Sequence, residues 1–532
     1  MPVVFSWIKK NVRSTSFQRA IVVVALLFWY GFFLFHQLDL ITADLGRHLK
    51  NGEIILSSLS TPSRLAAILH TNFYSYVNFA FPFINHHWGS GVLFFIIWSA
   101  AGLTGLSLFF ILLSIATFLI FFCVAYKNAG LKISATLAFF LIPLLAERVE
   151  IRPEIFSYLF AAIFFWLLSR YRASQFSSRY LYLLPILELV WVNLHIYFFL
   201  GPLLLGLFLL NEIFFAKPKR SAAIKKLALL LAGTVILGFV NPFGPAGFFY
   251  PLRIFNNYGF RVSENQSVST LSVEIKDYAN LLIFKFTLVS AALIFLTAAI
   301  KKKISFINFS VMAIFGLLAW TAVRNFTLFA LFALPAITET LKDILPKSQA
   351  QTKKKIFSSA NLAVAATLLV AIFLNRVRLP LVAKNFGLGV AAGNADAGIF
   401  LRDHHIAGPL FNDFDIGSYA IFYLYPQIHP FVDNRPEAYP TSFFQNIYVP
   451  LHTDEASWKT QEKYYGFNTI LYSFEDKAPW ALPFIVKRLE DPSWAPVYAG
   501  QYAIVFLKRN EQNAELIKNY EIPKERFTLE GD

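Results

Sequence analysis

Three side chains that could act on one substrate follow the first long apolar segment of the chain. Asp44, Arg47 and His48 are spaced i, i+3 and i+4, so on a helix they project as one cluster. The apolar run over 20–38 is long enough to cross a bilayer, which places this cluster at a membrane surface. A carboxylate, a guanidinium and an imidazole there suit chemistry on a lipid-linked anionic substrate. The alternative is a helix start capped by Asp44, with an exposed arginine.

The pattern over 42–56 predicts a short helix that lies along the membrane interface. The predicted apolar face consists of Leu45, Leu49 and Leu56. The polar residues expected to point away from it are Arg47, Lys50 and Asn51.

A second charged group lies between two later apolar runs and contains Arg148, Glu150, Arg152 and Glu154. Charges at membrane depth are costly and indicate function, although a solvated loop of mutually paired residues is the alternative. Arg324 follows another apolar run and suits an anionic headgroup or simple snorkelling.

A third polar group falls inside a predicted span. Glu188, Trp191 and His195 are expected along one helix face, where they could take part in catalysis or form an interhelix hydrogen bond. From the residues alone, the structural role is slightly favoured.

The composition is that of a polytopic membrane protein. Hydrophobic residues make up 56% of the 532 residues and charged residues 15%, against about 25% charged in soluble domains. Basic residues account for a net charge of +15, but they form short clusters between apolar runs, which argues against a nucleic-acid partner. Cys123 is the single cysteine, so no disulfide framework or thiolate metal site is expected.

Charge distribution decides the predicted topology. If 88–103 lies on the membrane or re-enters it, most basic residues in short connections fall on one side. The amino terminus is then cytoplasmic, the large first outside loop is 39–103, and everything after Arg376 is outside. Eleven transmembrane helices are predicted, at 20–38, 104–126, 133–147, 155–169, 181–195, 198–215, 227–240, 282–299, 304–320, 326–341 and 357–375.

The composition divides the chain into a transmembrane domain over 1–379 and a soluble extracytoplasmic α/β domain over 380–532. Predicted strands of the second domain are 420–424, 469–472 and 503–506, and predicted helices are 395–404 and 481–490. Polar clusters over 411–419 and 431–439 are expected to surround a strand, and turns are favoured over binding loops there. The segment 241–244 predicts a helix stop and turn.

Several short motifs, in order along the chain, resemble those of GT-C glycosyltransferases, the class that includes protein O-mannosyltransferases and aminoarabinose transferases. The resemblance is greatest to uncharacterised bacterial members. The residues that carry it are 44–53, His87-Trp-Gly89, Arg152-Pro-Glu154, 191–195, 241–244, Arg324 and 412–439. Thr42 and Ala43 stand where relatives often have an acid and a proline, and Gly46-Arg47 stands where an aromatic residue often precedes the histidine.

The resemblance implies a GT-C-like fold, a catalytic carboxylate at Asp44 and a polyprenyl-phosphate sugar as donor. Expected substrate-binding residues are Arg47, His48, His87, Arg148, Glu150, Arg152, Glu154, His195 and Arg324. No cofactor is identified; Asp44 with Glu150 or Glu154 would offer carboxylates to a divalent metal, but these residues do not define a metal site.

The expected function is transfer of a sugar from this donor to an envelope glycan, lipid or protein, at the outer face of the cytoplasmic (inner) membrane. Two alternatives stay open at this stage. One is a transporter or flippase of lipid-linked glycans, and the other is a non-catalytic envelope assembly protein.

Overall fold

The protein is predominantly α-helical. The computed structural model describes residues 15–175, 177–216, 221–253, 258–275, 278–345 and 359–527. The principal helices before residue 375 are Thr15–Leu34, Leu45–Ser57, Pro62–His70, Trp88–Ala129, Leu131–Leu145, Glu154–Arg172, Leu183–Trp191, Leu200–Leu210, Ser221–Gly238, Val268–Glu274, Ala279–Ile300, Phe306–Thr321, Phe326–Ile344 and Ser359–Leu374.

These helices make the chain a multi-pass membrane protein. Within the described residues, 5 helices are long and apolar enough to cross a bilayer, or 6 if the pair Ala366–Leu374 and Arg378–Lys384, bent by 65°, is one span. The five are Trp88–Ala129, Glu154–Arg172, Ile196–Phe215, Ser221–Gly238 and Ala279–Ile300. Helices overlap all eleven predicted segments, but the count of eleven crossings stays a prediction.

The longest helix, Trp88–Ala129, is broken at one glycine. Gly102 adopts φ 64° and ψ −171°, a conformation that glycine tolerates because it has no Cβ. The break separates 88–101 from the rest of the helix, close to the boundary at which the sequence divides 88–103 from the span 104–126. The position of 88–101 relative to the bilayer stays a prediction.

Residues 396–520 contain a small mixed sheet covered by helices. Within the described residues its strand order is β1-β2-β4-β3, formed by Leu410–Asn412 (β1), Thr469–Ser473 (β2), Trp494–Ala499 (β3) and Ala503–Lys508 (β4). β1 pairs with β2 in parallel, and the other pairs are antiparallel. Helices in this part include Asp396–Asp403, Gly417–Leu424, Glu455–Tyr465, Ala481–Glu490 and Ala514–Tyr520.

Several local predictions for this part are confirmed and one is wrong. The strands at 469–472 and 503–506 and the helices at 395–404 and 481–490 are present. The predicted strand 420–424 is instead the end of the helix Gly417–Leu424, so the polar clusters at 411–419 and 431–439 flank a helix. Short apolar runs do not distinguish strand from helix by periodicity, which accounts for the error.

The helix Leu45–Ser57, which follows Asp44, is packed more closely than the sequence predicts. Leu45 and Leu49 are buried as expected, but Arg47 and Asn51 are buried as well, so the expected exposed polar face is absent at these two residues. Glycines allow neighbouring backbones to approach this helix. A Cβ at Gly46 would lie 2.7 Å from the carbonyl oxygen of Ser418, and one at Gly52 would lie 2.2 Å from that of Gly91.

We expect Gly52→Ala to destabilise the protein by about 1–3 kcal/mol, because the new methyl group overlaps backbone that must then move. Gly206→Ala is the matched control, since a Cβ there has no atom within 4 Å and alanine favours a helix by about 1 kcal/mol over glycine. Thermal unfolding in detergent compares the two. Equal melting temperatures for both variants would contradict the close packing at Gly52.

Candidate active site

Asp44 directly precedes the helix Leu45–Ser57, but its carboxylate makes no capping hydrogen bond among the described residues. Instead, Arg152 Nη1 donates to Asp44 Oδ2 at 3.1 Å, and Arg47 Nη2 lies 4.0 Å from Oδ1. The Asp44 side chain is 20% exposed. Asp44 is therefore a partly accessible carboxylate held by an arginine, and the interpretation as a helix cap is wrong.

Three guanidinium groups come together from two loops far apart in the sequence, and one of them, that of Arg152, contacts Asp44. Arg148 donates to Glu154 from Nε at 3.1 Å and from Nη2 at 2.7 Å. Arg324 Nη2 donates to the same Glu154 at 2.7 Å, and Arg152 Nε donates to Glu150 at 2.9 Å. The structure thus brings together charged residues from three of the regions identified in the sequence, and we call Arg148, Arg152 and Arg324 the arginine cluster.

Glu264 completes this network and was not identified from the sequence. Its carboxylate accepts from Arg148 Nη1 at 2.5 Å and from Arg152 Nη1 at 3.3 and 3.4 Å. Arg324 Nη1 lies 3.7 Å from Glu264 Oε1 and donates to the neighbouring Asn265 at 3.0 Å. One carboxylate therefore contacts all three members of the arginine cluster.

Mutual neutralisation allows these charges to be buried. Burial acts to raise the pKa of Glu264, but the charges of the arginine cluster outweigh it and hold the pKa well below its usual range. Burial likewise acts to lower the pKa of Arg152, whereas Glu264, Asp44 and Glu150 raise it above its usual range. Both groups are therefore charged at neutral pH.

Four histidines form a second group, next to the first. The ring centroids of His48 and His87 are 5.3 Å apart, those of His86 and His87 3.8 Å, and those of His87 and His195 5.2 Å. Burial, followed by the charges of Arg47 and Arg152, lowers the pKa of His48 well below its usual range. Burial also lowers the pKa of His86, to about 3. These two imidazoles are neutral at neutral pH and can accept or donate one hydrogen bond each.

The prediction that Glu188 and His195 share a helix face is wrong, because the helix ends at Trp191 and His195 has extended backbone. His195 Nδ1 lies 2.7 Å from Ser157 Oγ, which accepts from Trp191 Nε1 at 2.6 Å. Glu188 instead lies between helices, where a Cβ at Gly201 would be 2.2 Å from its Oε2. The spacing of Glu188 and His195 thus predicts a shared helix face, whereas the fold places the two side chains in different surroundings.

A buried ion pair lies within residues 431–439, for which turns were favoured, and its arginine also contacts the first loop. Arg435 donates to Asp433 from Nε and Nη2, both at 2.7 Å, and to Asn72 Oδ1 at 2.9 Å. The guanidinium also lies over the rings of Tyr74 and Phe83, at 5.3 and 4.7 Å from their centroids. Arg435 therefore connects residues 431–439 to the first loop.

Asp413 and Asp415, in the other polar cluster, have different roles. Asp413 is fully buried and accepts from the backbone N–H groups of Ile416 at 3.0 Å and Ser473 at 2.6 Å, which is a structural role. Asp415 is half-buried and electrostatically coupled to the site. Burial, followed by the charges of Asp476 and Asp44, raises the pKa of Asp415 to about 7.

The site does not form a recognisable metal centre. In the described part of the chain, no group of three or more histidine, cysteine, aspartate and glutamate side chains is arranged to hold a metal ion. The carboxylates of Asp44, Glu150 and Glu264 surround the guanidinium of Arg152 instead. What the arrangement offers is one carboxylate to take up a proton and several cationic groups to hold an anion beside it.

Solved structures share this architecture. The oligosaccharyltransferase of Archaeoglobus fulgidus, in the apo form, aligns with a TM-score of 0.56 and 12% identity over 92% of this chain and 74% of that one. The same enzyme tethered with an acceptor peptide containing the NVT sequon gives 0.54 and 14% over 94% and 74%. Arabinofuranosyltransferase AftD from Mycobacteria gives 0.50 and 14% over 94% of this chain but only 40% of its own length.

The chain therefore has the fold of the GT-C membrane glycosyltransferases, as its motifs suggested. At these identities the likeness concerns the fold alone. No protein-family model matches the sequence, and no curated protein matches it.

We expect Arg435→Ala to destabilise the protein by about 3–5 kcal/mol, because it leaves the carboxylate of Asp433 buried and unpaired. Arg402→Ala is the control, since Arg402 is 57% exposed and pairs with its neighbour Asp403; it should cost less than about 1 kcal/mol. Denaturant unfolding in detergent provides the measurement. A small loss for Arg435→Ala, equal to that of the control, would contradict the stabilising role of the pair.

Proposed function

We propose that the protein is a glycosyltransferase that moves a sugar from a polyprenyl-phosphate donor to an envelope glycan, lipid or protein. The observation that carries the proposal is the Asp44 carboxylate, which lies partly exposed beside the arginine cluster in a GT-C fold. The solved structures that share the fold are an oligosaccharyltransferase and an arabinofuranosyltransferase, and both names describe enzymes that transfer sugars.

In the proposed reaction, Asp44 is the general base. It accepts the proton of the acceptor hydroxyl while the oxygen attacks the anomeric carbon, a contribution worth about 10²–10⁴-fold in rate. The bond from that carbon to the donor phosphate breaks, and the phosphate leaves with the bonding electron pair. Arg152 already donates to Asp44, which holds the carboxylate in a fixed orientation.

The leaving phosphate is the part of the donor that the cations recognise. Arg148, Arg152 and Arg324 would stabilise the negative charge that builds up on it, because guanidinium groups bind phosphate through paired hydrogen bonds. Arg47 and His48 lie in the helix Leu45–Ser57, which follows Asp44. Arg47 Nε and His48 Nδ1 are buried with no partner among the described residues. We propose that these two atoms also donate to the donor.

The remaining site residues have supporting roles in this scheme. The rings of His87 and His195 pack next to His48. Glu150 and Glu154 orient the arginine cluster through the ion pairs described above. Asp415 lies on the side of residues 396–520, where an acceptor would approach Asp44. The proposed topology places this part and the site at the outer face of the cytoplasmic membrane, with the amino terminus in the cytoplasm.

The test is to compare envelope glycans in cells that carry the wild type, a deletion or Asp44→Asn, at equal membrane levels. We expect Asp44→Asn to lose the same sugar as the deletion, because an amide cannot accept the proton. Asp403→Asn is the control, since Asp403 is 53% exposed and pairs with Arg402. If Asp44→Asn keeps the sugar that the deletion loses, the catalytic assignment fails, and transport or assembly becomes the better explanation.

A pH profile tests the coupling of Asp415 to Asp44. The pKa of Asp415 is about 7, so its carboxylate is charged above that pH and protonated below it. The charged form stabilises the positive charge that develops on the acceptor hydroxyl as its oxygen attacks the anomeric carbon, so we expect the transfer rate to rise through an inflection near pH 7. Asp415→Asn should remove this inflection and Asp403→Asn should keep it. An inflection that persists in Asp415→Asn would assign it to another group.

A further inference from the structure

The carboxylate of Glu264 lies where the three guanidinium groups of the arginine cluster converge. It is within 2.5 Å of Arg148, 3.3 Å of Arg152 and 3.7 Å of Arg324. Three converging guanidinium groups form a site for an anion with several oxygens, and a carboxylate satisfies their donors with only two. Glu264 therefore occupies an anion site.

Glu154 contacts two of the same arginines but is held differently. It is the first residue of the helix Glu154–Arg172 and its side chain is 4% exposed. Glu264 belongs to the three-residue turn Ser263–Asn265 and its side chain is 25% exposed. Glu154 is thus a fixed counter-charge, whereas Glu264 is the more accessible of the two.

The backbone around Glu264 is anchored on both sides. Val323 N–H donates to the Gln266 carbonyl at 3.1 Å, and Arg324 donates to Asn265. On the other side, the ring of Phe260 packs on Phe414 and Phe444, with centroids 4.5 and 5.1 Å apart. The carboxylate can therefore leave the arginines by rotation of its side chain while the turn stays in place.

We propose that Glu264 is an exchangeable internal ligand, which fills the anion site of the arginine cluster until a phosphate group displaces it. This inference rests on the proposed function, because it assigns the displacing group to the phosphate of the lipid-linked donor. The phosphate and the Glu264 carboxylate would compete for the same guanidinium donors, and at that distance their charges would repel each other. Entry of the phosphate thus requires the carboxylate to rotate out.

Displacement also changes the partners of Asp44. Arg152 Nη1 donates both to Asp44 and to Glu264 in the structure. When the phosphate replaces Glu264, the same nitrogen links the phosphate to the Asp44 carboxylate. Occupation of the anion site and orientation of the base are then coupled through a single guanidinium group.

Binding of a polyprenyl monophosphate to the full-length protein in nanodiscs tests the proposal, without sugar or acceptor. We expect Glu264→Gln to bind about tenfold more tightly than the wild type, because the competing charge is gone. Glu339→Gln is the matched control, because Glu339 is 22% exposed and pairs with Arg172 away from the site. This variant should bind the polyprenyl monophosphate as tightly as the wild type. Glu154→Gln should bind more weakly, since it removes a fixed counter-charge that orients two arginines.

Two further arms identify the ligand. Inorganic phosphate should show the same gain in Glu264→Gln if the site recognises phosphate alone, and the gain should be confined to the polyprenyl phosphate if the lipid is required. The polyprenol without phosphate should show no difference between variants.

Equal or weaker binding by folded Glu264→Gln overturns the proposal. If Glu264→Gln lowers the melting temperature, Glu264→Asp takes its place, because the shorter carboxylate retracts from the arginines and should give an intermediate gain. Equal or weaker binding by folded Glu264→Asp overturns the proposal as well. The binding assay involves no sugar transfer. Its result therefore does not depend on whether Asp44 is the catalytic base, and the two proposals can fail separately.

Discussion

The constraint on which this structure depends is that guanidinium groups at the end of a helix bundle must be neutralised where little water reaches them. Arg148, Arg152 and Arg324 satisfy it by sharing the carboxylates of Glu154, Asp44 and Glu264. Each ion pair therefore also fixes the relative position of two segments. The charges that would bind the proposed anionic donor are the same ones that hold the surrounding loops together.

Close packing between backbones also positions the residues of the site. Glycines at 46, 52 and 91 let the helix that carries Arg47 and His48 lie against its neighbours at distances no side chain would allow. The helix is thus held by contacts on several sides, and these contacts also fix the position of Asp44, which directly precedes it. Aromatic packing among Trp458, Phe411 and Phe484 forms part of the buried core of residues 396–520.

The sequence could predict much of this because membrane spans and charged loops have strong local signals. Asp44, Arg148, Arg152 and Arg324 were identified from charge at predicted span ends, and the structure brings them together. Glu264 could not be found in this way, since its role comes from three partners more than 50 residues away in the chain. Arg435 and Asp433 resembled an exposed turn because nothing local indicates that Tyr74 and Phe83 cover them. The sequence predicts a strand at 420–424 instead of the helix Gly417–Leu424, because this apolar run is too short for its periodicity to distinguish a helix from a strand.

The contacts between the first loop and the last third of the chain have a consequence for biosynthesis. Leu40 N–H donates to Asn394 at 2.8 Å, Ser75 to the Phe431 carbonyl at 2.8 Å and Arg435 to Asn72 at 2.9 Å, so partners are separated by more than 350 residues. A ribosome completes the first partner of each pair long before the second. The arginine cluster is therefore synthesised before these contacts can form, and the site matures only after residues up to 435 have been made.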